Sequence, residues 1–497
     1  MSTVIMEDLL RSLPSIERLL ARPLAERLSE DLSRERVRDL LREITARLRI
    51  ELKDRGQESG IRDQGNGSAA HQGSNPDPRP LTPDSLLAEI ERRLEAEAAS
   101  ALRPSLRRVV NATGVIIHTN LGRAPLARAA LDAINATAAG YSNLEYDIEA
   151  GRRGRRESHC QQLLARLAAS EDAVVVNNNA AAVLLVLNTL AEGGEVIVSR
   201  GELVEIGGSF RIPEVCEKSG ARMREVGTTN RTRIEDYERA INESTRLILR
   251  VHPSNYRIIG FTERPSLAEI AELARRRAIA TFEDLGSGCL TDMTPYGVTD
   301  EPVVADSLRA GISVVSFSGD KMMGGPQAGI IAGAREIISK VRRNPLMRAL
   351  RADKLAYAAL EATLRLYERD MSGVPVIRSI TRTGEEIGER AARFSDRVNN
   401  IAPARLRASL EEGQSVIGGG SAPGVKLPTV LVALVSEEMP AESIEQSLRR
   451  NEPAIITRTE RERVLVDLRT VAENEEDIIL DALRAISTAP NKLKAGH

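Results

Sequence analysis

The chain has 497 residues, 42% hydrophobic and 28% charged, with 69 basic against 71 acidic side chains and a net charge of −2. That length exceeds one ordinary domain, and the composition is that of a globular protein built from two or three. The near-zero charge excludes a global positive field for nucleic acid, and aromatics at 2% with no Trp exclude base stacking as a main mode of recognition. The three cysteines, Cys160, Cys216 and Cys289, are far apart and form no CxxC pair, so neither a disulfide framework nor a metal site is expected. Glu7 and Asp8 interrupt any signal-like core, and apolar runs such as Ala180 to Leu187 fall short of a membrane span. A cytoplasmic protein without a membrane partner is the expectation.

In chain order, Leu9, Leu10, Leu13, Ile16, Leu19 and Leu20 recur at the steps of an amphipathic helix. Val37, Leu40, Leu41, Ile44 and Leu48 repeat the pattern, with Arg34, Arg38, Arg42, Arg47 and Arg49 opposite. Residues 1–54 therefore read as a small helical module. It holds eleven basic and eleven acidic residues, so only its one-sided arginine face recommends it to a polyanion, and most such faces are simply solvated. Residues 55–83, rich in Gly, Ser, Asn, Asp, Gln and Pro, read as a flexible linker.

A helix is expected over Ser85 to Leu102. Beyond it, Ala173 to Val176, Glu195 to Val198, Leu247 to Val251, Ala278 to Glu283, Ser313 to Phe317 and Gly329 to Ala332 look like buried strands. Most gaps between them have room for a crossover helix, which predicts a largely parallel α/β sheet. A long helix is expected over Lys354 to Arg369. From Met371, helices alternate with strands at Thr429 to Val435, Ala454 to Thr457 and Arg463 to Leu468. Residues 84–370 are thus expected to form one large domain with a preceding helical segment, and 371–490 a smaller α/β domain.

The strongest chemical signal is Ser316-Phe317-Ser318-Gly319-Asp320-Lys321-Met322-Met323-Gly324-Gly325-Pro326-Gln327. A lysine that forms a Schiff base must shed its proton near neutral pH, which a packed, partly dry turn can arrange. Ser316 and Ser318 offer hydroxyls for a phosphate, and Gly324 and Gly325 let backbone approach a ring. Alone, a lysine at a strand end is more often a surface residue. Asp284, 37 positions earlier at the end of another strand, can hold a pyridine nitrogen protonated, although alone it would read as a turn or cap residue. Asn178, Asn179 and Ala180 join a strand to a helix, where amides can cradle a phosphate. Ser254 and Asn255, in His252-Pro253-Ser254-Asn255-Tyr256, end a further strand. Four such motifs in this order are the layout of fold-type I pyridoxal-phosphate enzymes, the aspartate aminotransferase-like fold. His118 and His159 read as structural histidines, and Cys289, with no histidine partner, as a packing residue.

Longer strings carry a more specific likeness. Leu13 to Leu20, Val110 to Arg123, Tyr141 to Asp147, Gly151 to Gly154, His252 to Thr262, Ser318 to Gly329 and Ile417 to Ser421 resemble the bacterial selenocysteine synthases, the L-seryl-tRNA(Sec) selenium transferases. The resemblance implies a pyridoxal 5'-phosphate enzyme that eliminates water from the seryl group of tRNA(Sec) and adds selenium from selenophosphate. It implies that Lys321 carries the cofactor and then serves as base, that Asp284 supports the ring, and that Arg123, Arg348 and Arg351 bind the anionic donor. Arg348 and Arg351, three apart, would share a helix face. The front module would read the tRNA, the chain would form at least a homodimer and by family habit a homodecamer, and residues 200–209 would supply the group stacked on the ring. In seryl-tRNA the α-carboxylate is an ester, so no carboxylate clamp is required. Arg458, Arg461 and Arg463 nevertheless leave a free amino acid open. The alternatives are a pyridoxal-phosphate lyase or aldolase acting on a small amino acid or phosphorylated amino sugar, and a tRNA-binding scaffold with a dead core.

Overall fold

The structure, a computed structural model, describes residues 10, 12–62, 82–206, 210–401 and 405–488. The chain divides into two compact units, Met1–Arg107 and Arg108–His497.

In the first unit Pro14 ends the preceding segment, and Ser15 caps the helix Ile16–Leu20, accepting from the Arg18 amide at 3.4 Å. Helices Pro23–Leu32, Arg34–Arg62 and Pro83–Leu102 follow. Leu19, Leu20, Val37, Leu40, Leu41, Ile44 and Leu48 are buried together with Ile90 and Leu94 of the last helix. Thr82 and Ser85 cap that helix reciprocally, and Arg93 pairs with Glu51 at 2.8 Å and Glu89 at 2.7 Å. Both expected boundaries therefore move. The helix entered at Arg34 runs past residue 54 to Arg62, and the helix expected to precede the large domain closes the front module instead. The physical reason is the apolar stripe of Leu86, Ile90, Leu94 and Ala98, which needs the front helices to cover it. The rest of the expected linker, residues 63–81, lies outside the described residues. The arginine face is partly neutralised: Arg38 reaches Glu17, Arg42 pairs with Asp39, and Arg47 pairs with Glu97.

The second unit holds a seven-stranded sheet. Its order is Asp172–Val176, Gly329–Gly333, Val314–Ser318, Ala280–Gly286, Thr245–Val251, Glu195–Ser199 and Arg222–Val226. All run parallel except Gly329–Gly333, which is antiparallel to both its neighbours. Two apolar layers cover the faces. One contains Val174, Val314 and Phe282 with Val183, Val186 and Leu187 of the helix Asn179–Ala191. The other contains Val175, Val315 and Phe317 with Leu360 and Leu364 of the helix Lys354–Arg369. The edge strand Arg222–Val226 was not expected: its Arg222, Arg224 and Glu225 are exposed, so it lacks the apolar run that marks its neighbours.

A second sheet, ordered Arg407–Gly418, Ser421–Val435, Arg463–Asp467 and Arg458–Glu460, is antiparallel throughout. Its first strand was also missed, because Glu411, Glu412 and Gln414 mask the alternation. Near the start of the unit, Val109–Asn111 pairs in parallel with Ala454–Ile456, so the expected large domain begins inside the smaller one.

A fragment of residues 1–107 is expected to melt in one cooperative transition by circular dichroism. A fragment of residues 1–62, lacking Ile90 and Leu94, should lose that transition, since uncovering such a core costs about 2–5 kcal/mol per large side chain. Equal cooperativity in the two would refute the assignment of the last helix.

Candidate active site

Parallel strands end at one edge of a sheet, and the turns leaving that edge gather side chains from distant sequence. Here Asn177 to Asn179 leave Val176, Ser254 follows Val251, Asp284 lies among the last three residues of the strand Ala280–Gly286, and Lys321 follows Ser318. Asp284 stands opposite Ser316 in one neighbouring strand and Val251 in the other.

Asp284 is 2% exposed, and its Oδ1 accepts from Asn179 Nδ2 at 2.8 Å and from Ser316 Oγ at 3.2 Å. Burial pushes its carboxyl up, while the Asn179 amide, the Lys321 charge and the Ser316 hydroxyl pull it back. Lys321 is also buried; burial pushes its ammonium down, opposed chiefly by Asp284 and Asp320. The amine lies in a glycine-walled space. A Cβ on Gly420 would stand 3.7 Å from Lys321 Nζ and 3.8 Å from Ser254 Oγ, and one on Gly286 about equally far, at 4.0 Å from each. Ser254 Oγ and Asn179 Oδ1 are buried without a hydrogen-bond partner among the described residues. Two unsatisfied polar atoms beside a buried amine and carboxylate are what a polar ring would complete. The residues present therefore fit pyridoxal phosphate, which Lys321 and Asp284 would hold from the amine and the carboxylate side.

Several expected roles change. Ser316 bonds Asp284, so it supports the carboxylate and not a phosphate; register places it there. Asn178 caps the helix Asn179–Ala191, its Oδ1 accepting from the Ala181 amide at 2.9 Å, and the exposed Ala180 lies in the first turn. Ser318 is buried beside them across Gly329, where a Cβ would meet Asn178 O at 2.1 Å. Asn255 is exposed and donates to Glu205 O at 2.9 Å. Gly324 makes room for packing and not for a ring: a Cβ there would lie 2.5 Å from Val374 Cγ1.

Arg123, at a positive φ of 72°, pairs with Asp320, the neighbour of Lys321, at 2.8 Å. Arg348 and Arg351 are both exposed, but they do not share a helix face. The helix Leu346–Leu350 stops because Arg351 turns extended and bridges Val176 at the site's edge of the sheet. Arg351 then lies 3.4 Å from Glu145, which Arg156 holds at 2.6 Å. Of the stretch expected to stack on the ring, 207–209 lie outside the described residues; Arg200 binds Glu225 and Gly227 O, and Glu202 forms a buried pair with Arg250 at 2.9 Å. His159 contacts Leu144 O and the Tyr357 ring, whereas the buried Nδ1 of His118 has no partner among the described residues. Cys289 donates to Thr291 O, and burial pushes its thiol up to about 12, so it is no nucleophile. Arg458 has a buried Nε without a hydrogen-bond partner among the described residues and its Nη2 lies 3.9 Å from Asp467, while Arg463 pairs with Glu411. Sequence reasoning missed Asp320, although it adjoins Lys321. It also missed Glu301, whose role depends on a contact across 121 positions.

The sequence profile of the family described as L-seryl-tRNA selenium transferase matches residues 109–472, and that described as selenocysteine synthase N terminal matches residues 10–49. A relative from Carboxydothermus hydrogenoformans, an L-seryl-tRNA(Sec) selenium transferase, is 46% identical over 95% of this chain and 96% of its own. Relatives of the same name from Geobacter metallireducens and Nitratidesulfovibrio vulgaris are each 47% identical, over 80% and 81% of this chain and 87% of their own. Among solved structures, a D-glucosaminate-6-phosphate ammonia-lyase superposes with a TM-score of 0.54 at 21% identity, covering 78% of this chain and 97% of its own. That likeness shows the fold. No helix among the described residues is long and apolar enough to cross a membrane.

His252, between these strands, has a buried Nε2 without a hydrogen-bond partner among the described residues, and burial beside Arg264, Lys321 and Arg250 pushes it down to about 4. A histidine held neutral contributes stability above its ordinary value of 6.5 and loses it as pH falls towards 4. Between pH 7 and 5 the native chain should therefore lose about 2 kcal/mol more than a His252→Gln variant, read from urea midpoints. Parallel losses would refute the neutral, buried state.

Proposed function

Given that the chain belongs to the L-seryl-tRNA selenium transferase family, we propose a division of labour among its residues in making selenocysteinyl-tRNA(Sec) from seryl-tRNA(Sec). Pyridoxal phosphate is its cofactor and, when bound, supplies an electron sink for the charge left at the seryl α-carbon. Lys321 would hold the cofactor, and its amine, once free, would remove the α-proton, a task suited to a lysine whose ammonium burial pushes down. Asp284, fixed by Asn179 and Ser316, faces the ring nitrogen. Asn178, Asn179 and Ala180, at the start of the helix Asn179–Ala191, take the phosphate together with Ser318 at the end of its strand. Ser254 Oγ, unsatisfied beside Nζ, bonds substrate or ring, and Asn255 keeps that turn in place.

The seryl hydroxyl departs as water, selenium bonds to the β-carbon as the α-carbon regains a proton, and the donor's P–Se bond breaks with water taking the phosphorus as phosphate. Selenophosphate, an anion, is the donor. Arg123, Arg348 and Arg351 bind it, and the observation that favours them is their placement: Arg123 tied to the residue before Lys321, and Arg351 bridged to the strand end that precedes Asn178. The front unit reads the tRNA, supported by the matched N-terminal profile and by arginines 34 and 49, which form no ion pair among the described residues. At least a homodimer forms, and by family habit a decamer. Ile259 at 91% and Phe261 at 92% exposure, with Tyr141 fully exposed, suit contacts between copies. The cytoplasm is its compartment, in keeping with three unpaired, buried cysteines.

The buried Asp284–Lys321 arrangement carries this reading. With selenophosphate present, selenocysteine should form from seryl-tRNA(Sec), not from ordinary seryl-tRNA or free serine, and Lys321→Ala should form none. Product from free serine would sink the tRNA assignment; activity in the alanine variant would sink the role of Lys321. Arg351→Ala should raise KM for selenophosphate by about tenfold or more while the KM for seryl-tRNA(Sec) holds. An unchanged selenophosphate KM would remove Arg351 from the donor site.

A further inference from the structure

Glu301 lies in the segment Thr299-Asp300-Glu301-Pro302, outside every motif considered above. It is buried, and a buried carboxylate persists only where donors hold it. Each oxygen has one. Oε1 accepts from Ser287 Oγ, and Oε2 accepts from the Ala422 amide at 2.6 Å. Ser287 follows Gly286, and Ala422 stands two residues beyond Gly420; these are the two glycines that wall the space around Lys321 Nζ. One carboxylate thus joins both walls.

The two walls belong to different sheets. Ser287 leaves the strand carrying Asp284, and its carbonyl accepts from the Met322 amide at 3.0 Å, next to the lysine. The other wall is the turn Gly418-Gly419-Gly420 of the second sheet, at φ of 78°, 64° and 69°, followed by Ala422 at 43°. A run of left-handed residues is easily displaced unless something fixes it. On one side Ile117 does so, donating to Ile417 O at 2.7 Å. On the other side the described residues offer the bond to Glu301.

We propose that Glu301 is a positioning residue that ties the glycine turn of the second sheet to the loop behind Asp284, so that both close over the Lys321 amine as one wall. This rests on Lys321 being the reacting amine. A wall misplaced by even an ångström would let water in and misalign the amine, so the loss falls on kcat and not on tRNA binding.

The test uses the full-length, cofactor-loaded protein with Glu301→Ala, Glu301→Gln and Ser287→Ala. The glutamine can accept from Ala422 and donate to Ser287 Oγ, preserving the tie without the charge. Glu301→Ala should lose about tenfold to a hundredfold in kcat with KM for seryl-tRNA(Sec) within about threefold, and Glu301→Gln should restore most of it. Independently of activity, amide exchange of peptides covering residues 416–424 should quicken about tenfold or more in the alanine variant, with 429–435 unchanged. Equal losses in the alanine and glutamine variants, or undisturbed exchange in alanine, overturn the tie. If the alanine variant does not fold, Ser287→Ala decides: several-fold lower kcat with faster exchange supports it, and native values of both overturn it. Should Lys321→Ala prove active, the reading of the lysine falls while the exchange result still judges Glu301.

Discussion

A carboxylate and an amine kept out of water at the same strand edge set the terms for the second unit. Opposite charges removed from solvent are tolerated only where donors and neighbours satisfy them, and each here is pushed towards its neutral form. Asn179 and Ser316 draw the Asp284 carboxyl back towards its charged form, which requires neighbouring strands in fixed register and a turn that folds back over the edge. Apolar layers on both faces of the sheet hold that register. The same dry surroundings that make the pair costly weaken the amine's hold on its proton.

The arginines proposed for the anionic donor follow another rule. Arg123, Arg348 and Arg351 are not buried, and two of them already face a carboxylate, Asp320 or Glu145. A guanidinium with a resident carboxylate is oriented without being neutralised beyond use, because such exposed pairs are weak and yield to a multiply charged ligand. Position, not raw positive charge, is what these pairs provide, in keeping with a chain whose net charge is close to zero.

Much of this was legible in the residues. Strands buried on both faces appear as β-branched runs, and each of the six expected for the central sheet lies where the run does. Among the strands that escaped notice, Arg222–Val226 and Arg407–Gly418 are wet on one face or at an edge, so their signal is diluted by charge. Helix Pro83–Leu102 was visible as a helix, but an apolar stripe says only that something must cover it, not what. Lys321, Asp284 and Ser254 could be named from motif order. Whether Ser316 serves a phosphate or a carboxylate could not, because alternation gives a side chain's face and not its neighbour. Glu301 could not be found at all: its partner lies in another sheet.

The strand Val109–Asn111, at the head of the second unit, finds its partner only at Ala454–Ile456, and Asp467 donates its amide to Ala112. A ribosome releases the chain from its beginning. The front unit is complete early, but the segment after it must wait for nearly the whole polypeptide before its hydrogen bonds exist. Pairings this remote in sequence also form slowly. During synthesis, then, the catalytic half carries an exposed β segment looking for an edge. The enzyme assembles its site as one of the last events of its own making, and a truncated chain ending before residue 454 has no means of closing it.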